Sequence, residues 1–282
     1  MGACTVPSLR QRVKRLPLVG AVAMASHRRV TLARWLVSSA PLRGSDADAR
    51  AIVIVTGCDS SHFLAQLNML ASVEEHEPAA LVSFWDLGLT QEERAELTLR
   101  FPRVTVRPFP YDDFPDYFRI TVSAGQYAWK PVIVETEAAT ADSRILIWMD
   151  AGNIVDRPLA WIRRFAQADA FYSPNSGAPI HRWTHPETLR VLKAPSHVLG
   201  RQSVTGGLAA FDTARPESRQ LIADWSACAQ DTGCIAPEGS DRSNHRQDQA
   251  VLSVLAHMAG LTARGPRGAH VTHVGVRFHR DT

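Results

Sequence analysis

The chain has 282 residues, 45% of them hydrophobic and 21% charged, with 31 lysines and arginines against 28 aspartates and glutamates. This balance excludes general disorder, and the length is enough to bury a full core. No apolar run reaches the roughly 20 residues that a membrane helix needs. Nothing repeats at a solenoid period, and four cysteines do not make a disulfide framework.

The charge is unevenly placed. Residues 1–43 hold eight bases (Arg10, Arg12, Lys14, Arg15, Arg28, Arg29, Arg34 and Arg43) and no acid, which leaves 23 bases against 28 acids downstream. A basic leader on an acidic body is unlike the positive face of a nucleic-acid-binding domain, so no nucleic-acid partner is expected. Residues 1–49 read as a basic N-terminal helical extension, with three readings open. Its bases, apolar stretch and small residues imitate a secretory signal. Leu32, Trp35 and Leu36 interleave with Arg28, Arg29 and Arg34, which suits peripheral contact with an anionic membrane. A helix packed on the body fits as well. Cys228 and Cys234 have room for a bridge in a secreted chain, but reduced thiols and a cytoplasmic location, in solution or at the membrane surface, are the expectation.

The body, 50–282, reads as one domain of alternating strands and helices. Residues 51–56 (AIVIVT) form a continuous β-branched run, as for a strand buried on both faces. Asp59, Ser60 and Ser61 offer caps for a helix that places Phe63, Leu67 and Leu70 on one face. A strand at 80–85 and a turn at Asp86 follow. Thr90 and Glu93 then have capping-box spacing for a helix to about Arg100. A strand at 104–109, a helix over 126–138 and a buried strand at 145–149 (ILIWM) come next. Helices near 158–167, 217–229 and 247–259 and strands at 170–172, 203–212 and 270–278 complete the pass. The alternation predicts an α/β fold with a mainly parallel sheet flanked by helices.

Ligands of such sheets sit at the carboxyl ends of the strands, which makes Thr56 to Asp59, Asp86 and Asp150 the first candidates. Asp150 ends the ILIWM strand and precedes Ala151 and Gly152, small residues that let a ligand approach the backbone. In the tail, His273, Gly275 and Arg277 share one face by period-two alternation, an imidazole and a guanidinium that suit a metal and a phosphate. Asp248 aligns with Leu252 and Leu255 at helical spacing and so points inward, beside Gln249. Lys130, one of three lysines, stands in YAWKP (127–131) next to aromatics.

Together, TGCDSS (56–61), YAWKP (127–131), ILIWMDAGN (145–153), TGGLAAF (205–211), HRQDQ (245–249) and HVTHVG (270–275) resemble nucleotide-sugar glycosyltransferases of the GT-A fold, in the glycogenin-like and lipopolysaccharide galactosyltransferase-like group. The likeness spans roughly 50–278. It implies an enzyme that moves a sugar, a hexose in particular, from a nucleoside diphosphate donor to a hydroxyl of a carbohydrate, lipid-linked or protein acceptor. It places Thr56 and Asp59 near the base and ribose, Lys130 on the diphosphate or the sugar, Arg277 on the leaving phosphate, and Gly206 and Gly207 on the acceptor side. Asp248 and Gln249 would face the donor sugar as the catalytic pair. A manganese or magnesium ion would be held by Asp150 and His273. Position 152 is Gly where the family's Asp-x-Asp motif has its second acid. The alternative reading is a degenerate, non-catalytic member that binds a nucleotide sugar or a protein.

Overall fold

The computed structural model describes residues 51–141, 144–261 and 274–278. The basic extension, Cys4, His270 and His273 lie outside the described residues. The central strand β1 (Ile52–Asp59) pairs in parallel with β2 (Leu81–Gly88) on one side and β4 (Ile145–Met149) on the other. Next to β2 lies β3 (Val104–Pro108), again parallel. Beyond β4, β9 (Leu208–Asp212) runs antiparallel and then pairs with the short β6 (Phe171–Tyr172). The order β3-β2-β1-β4-β9-β6 is a mainly parallel, six-stranded sheet. Its centre is the apolar part of β1 and the whole of β4, buried on both faces as their unbroken apolar runs require.

Helices cover both faces. Helix α1 (Phe63–His76) buries Phe63, Leu67, Leu70 and Val73, the stripe its sequence spacing gives. Helix α2 (Gln91–Arg100) opens with the predicted capping box, Thr90 accepting from the Glu93 N–H while the Glu93 carboxylate takes the Thr90 N–H. Helix α3 (Trp129–Thr140) and α7 (Pro216–Ala229) pack together over a core containing Trp148, Trp225 and Phe211. The remaining elements are α4 (Ala160–Asp169), β7 (Asn175–Pro179) paired with β8 (Gln202–Val204), α5 (Pro186–Val191), α6 (Ser196–Leu199), α8 (Thr232–Ile235) and α9 (Gln247–Met258).

Several elements depart from the sequence pattern. Asp59, Ser60 and Ser61 do not cap α1, because a 3-10 turn over Ser60–His62 intervenes; Asp59 instead accepts from the Ser61 hydroxyl at 2.6 Å. The helix expected from Gln126 starts at Trp129, since Ser123, Ala124, Gly125, Gln126 and Tyr127 all have φ between 47° and 63°. The strand expected over 203–212 divides at Thr205–Gly207 into β8 and β9, which belong to different sheets. The last described strand, β10 (Val276–Phe278), pairs antiparallel with β5 (Asn153–Val155) rather than joining the main sheet. Asp86 serves its own turn, accepting from the Gly88 and Leu89 N–H groups and pairing with Arg94.

Cys228 and Cys234, expected reduced, are bridged, while Cys58 is a buried thiol. Helix α7 ends at Ala229 and α8 starts three residues later, which folds the chain back and leaves the two Cα atoms 5.3 Å apart, within disulfide reach. A loop this short restricts the unfolded chain by about 2 kcal/mol. Denaturant unfolding with and without reductant should show a loss of that size, and Cys228→Ser should lose its sensitivity to reductant.

Candidate active site

The sheet reverses direction of growth at β1. The chain builds β2 and β3 to one side, then returns to place β4 on the other, so the carboxyl ends of β1 and β4 diverge and leave a crevice between their following loops. A cleft of about 320 Å³ occupies that place, lined by Gly57, Cys58 and Asp59 at the end of β1 and by Asp150, Ala151 and Gly152 after β4. Gly57 is required there, since a Cβ would lie 2.6 Å from the Trp85 carbonyl oxygen on β2. A second pocket of about 130 Å³ adjoins the cleft and shares Tyr127, Lys130 and Asp150 with it. Its other wall is Gly206 and the start of α9, with Gln247, Asp248 and Gln249.

Lys130 stands where the two pockets meet. Its side chain projects from the first turn of α3 and is only 3% exposed. The ammonium Nζ lies 3.0 Å from Asp150 Oδ1 and 2.9 Å from Asp248 Oδ2, and it donates to the Gly206 carbonyl at 3.2 Å. The rings of Trp148, Tyr127 and Trp129 surround it at 5.3 to 5.9 Å. Burial alone would lower the Lys130 pKa, but the two carboxylates outweigh it and hold the ammonium above its ordinary value. Burial raises the Asp248 carboxyl above its ordinary value even with Lys130 against it.

Main-chain geometry fixes both acids. The Asp150 N–H donates to the Gly207 carbonyl, and Asn153 Nδ2 bridges the Asp150 and Gly207 carbonyls at 3.1 and 2.6 Å. Trp148 Nε1 donates to Asp150 Oδ1 at 2.7 Å. Asp248 points inward, as the helical spacing predicts, and its carbonyl accepts from Trp225 Nε1. At Gly206 an added Cβ would fall 2.9 Å from Asp248 Oδ2, so only glycine lets β8 and β9 turn this close to the carboxylate.

The sequence candidates therefore divide. Asp59, Lys130, Asp150, Gly206, Asp248 and Gln249 line the two pockets. Gly207 acts through its carbonyl, behind the pocket wall. Thr56 does not reach the cleft: β1 runs three residues further than expected, which leaves Thr56 in the core donating to Gln66 Oε1 at 3.0 Å. Arg277 is turned to Asp156, at 3.7 Å, and lines neither pocket. Sequence reasoning missed Asn153, Trp148, Arg242 and Arg246. Arg246 lies within the HRQDQ segment and Arg242 three residues before it, and with Asp241 and Asp248 alongside no local charge imbalance marked them.

Of the two residues expected to hold a divalent cation, Asp150 is described and His273 lies outside the described residues. No group of three or more His, Cys, Asp or Glu side chains that could hold a metal exists among the described residues. Position 152 brings no carboxylate, and the ammonium of Lys130 already occupies the space between Asp150 and Asp248.

The segment leading into α9 is fastened by His245. Its Nδ1 accepts from the His185 N–H at 3.1 Å, so Nε2 carries the proton given to the Ile235 carbonyl at 2.9 Å. Burial, with His185 nearby, lowers its pKa to about 4. The folded state thus binds fewer protons than the unfolded chain between about pH 6.5 and 4, and stability contributed by neutral His245 is lost as pH falls through that window. Unfolding titrations at pH 7 and pH 4 should show wild type losing about 3 kcal/mol more than His245→Asn.

A family profile described as "Protein of unknown function (DUF1647)" matches residues 29–135. No curated protein matches the chain. Among solved structures, the galactosyltransferase LgtC in complex with donor and acceptor sugar analogs is similar at 16% identity and a TM-score of 0.48, over 81% of this chain and 87% of that one. The bifunctional glycosyltransferase WbbM is similar at 12% identity and a TM-score of 0.47, over 73% of this chain, which spans only 37% of WbbM. Core-mannan synthase A from Aspergillus fumigatus, in its Mn/GDP form, is similar at 8% identity and a TM-score of 0.49, over 73% of this chain and 69% of that one. Likeness at this level leaves the chemistry to be read from the side chains themselves.

Proposed function

We propose that the chain is a glycosyltransferase that moves a sugar, a hexose in the first instance, from a nucleoside diphosphate donor to a hydroxyl of a carbohydrate, lipid-linked or protein acceptor. The observation that carries this reading is the buried Lys130 ammonium between Asp150 and Asp248, at the junction of two pockets on the carboxyl edge of the sheet. The larger cleft has the position of a nucleotide site in a sheet of this topology, with Asp59, Lys130 and Asp150 on the donor. Asp248 and Gln249 face the sugar from the smaller pocket, and Gly206 leaves room for the incoming group.

In the reaction, the bond from the anomeric carbon to the diphosphate oxygen breaks with its electron pair leaving on the phosphate. The acceptor oxygen forms the new bond to that carbon. Positive charge that develops on the ring is stabilised by the adjacent Asp248 carboxylate, whose position is set before substrate arrives. A hydroxyl attacking from the Asp248 side gives its proton to that carboxylate; one attacking from the leaving-group side gives it to the diphosphate. No step in this scheme is assigned to the manganese or magnesium ion implied by the sequence resemblance: of its two expected ligands, Asp150 is paired with Lys130 and His273 lies outside the described residues.

The second reading, a non-catalytic nucleotide-sugar or protein binder, is favoured by one observation: glycine at 152 and an ammonium between the two remaining acids. A panel of nucleotide sugars, with and without manganese, separates the two readings when scored for binding and for slow donor hydrolysis. Transfer predicts turnover that drops about 100-fold or more in Asp150→Asn and in Asp248→Asn. A nucleoside diphosphate that raises the melting temperature without any turnover would support the binder. Two variants with wild-type turnover would overturn the site assignment.

A further inference from the structure

The smaller pocket contains two guanidinium groups that sugar transfer as described does not use. Arg242 donates to the Tyr127 hydroxyl at 2.8 Å and lies over that ring at 5.5 Å. Arg246 lies over the Trp183 ring at 4.4 Å. Stacking restricts each fork to a plane and lowers the entropy lost when it binds a flat or tetrahedral oxyanion. Both arginines line the pocket together with Lys130, Asp150 and Asp248, three cations against two carboxylates.

The carboxylates are already committed to Lys130, at 3.0 and 2.9 Å. Among the described residues neither guanidinium has an acidic partner; the contacts of Arg242 and Arg246 are with aromatic rings, a tyrosine hydroxyl and the main chain. Burial, and then the charge of Arg242, lower the Arg246 pKa below its ordinary value. The Arg246 Nε–H is buried without an acceptor. Surface arginines are normally solvated or paired, and a buried donor left unsatisfied calls for an explanation. Like charges held side by side at a pocket wall, with their counter-charge missing, fit a ligand that brings the counter-charge with it.

We propose that the smaller pocket recognises an anionic sugar, binding a carboxylate or phosphate group through Arg242 and Arg246. The idea rests on the glycosyl-transfer reading for the sugar and adds its charge. The oxyanion belongs either to the sugar being transferred, as in a uronate donor, or to the acceptor sugar, and the shared chemistry is an anion beside the ring.

Calorimetric titration of the full chain tests this with glucose, glucuronate and glucose 6-phosphate, and with UDP-glucose against UDP-glucuronate. Inorganic phosphate is the control for unspecific anion binding. Wild type should bind at least one charged sugar tenfold or more tighter than its neutral counterpart, and tighter than phosphate alone. Arg242→Ala and Arg246→Gln should each bring the charged sugar down to the neutral level while UDP affinity stays within twofold. Arg182→Ala, which removes the guanidinium 5.1 Å over Trp183 but outside the pocket, should change nothing. A preference confined to the UDP-linked pair assigns the anion to the donor; one seen with free sugars beside bound UDP assigns it to the acceptor. Equal binding of charged and neutral sugars, or a preference that survives both variants, overturns the proposal, and does so without touching the transfer reading if UDP still binds. A charged-sugar preference with no UDP binding would support the pocket and count against the transfer reading.

Discussion

The site depends on one ammonium held out of water between two carboxylates. Lys130 and Asp150 come from the consecutive α3 and β4, and Asp248 comes from the start of α9, much later in the chain. Without the lysine, the buried Asp248 carboxylate would lose its counter-charge beside the half-exposed Asp150, and removing one partner from a buried pair typically destabilises by about 3–5 kcal/mol. The arrangement therefore joins three elements as well as preparing a charged centre. Gly206 belongs to the same constraint, since any side chain there would push against the Asp248 carboxylate.

Charge is partitioned along the cleft. At its centre a cation is balanced by acids within 3.0 Å, while the far wall holds two cations against aromatic rings and a tyrosine hydroxyl, with no acid paired to either among the described residues. The first arrangement is complete in the empty protein and serves position. The second is incomplete, and so it has the capacity to discriminate between ligands by charge. A pocket that left an acid beside Arg242 or Arg246 would satisfy the arginines and give up that discrimination.

Much of this was legible where local pattern and tertiary demand agree. The runs at β1 and β4 identified the central strands because burial on both faces leaves no room for alternation. The Thr90 capping box and the inward Asp248 followed from spacing that a helix alone imposes. What was not legible depends on distant partners. The end of β1 extends to Asp59 because β2 offers pairing as far as Gly88, and those extra residues moved Thr56 into the core. β8 and β9 separate at Gly206 because α9 brings Asp248 against them, which no property of TGGLAAF announces. Arg277 turned to Asp156 once β10 found β5, a pairing set by chain return rather than by local sequence.

The left-handed turn at Ser123–Tyr127 has its own implication. Only Gly125 of its five residues favours that conformation, and each of the others disfavours it by about 1–2 kcal/mol. The turn persists because its surroundings hold it: Trp129 Nε1 donates to the Ala124 carbonyl, and the Phe118 backbone packs so closely that a Cβ on Gly125 would sit 2.3 Å from its oxygen. Phe118 in turn stacks on Phe114 and Phe109. An aromatic column that lines neither pocket thus sets where Tyr127 stands, and the tolerance of the cleft to sequence drift is decided partly in the hydrophobic interior behind it.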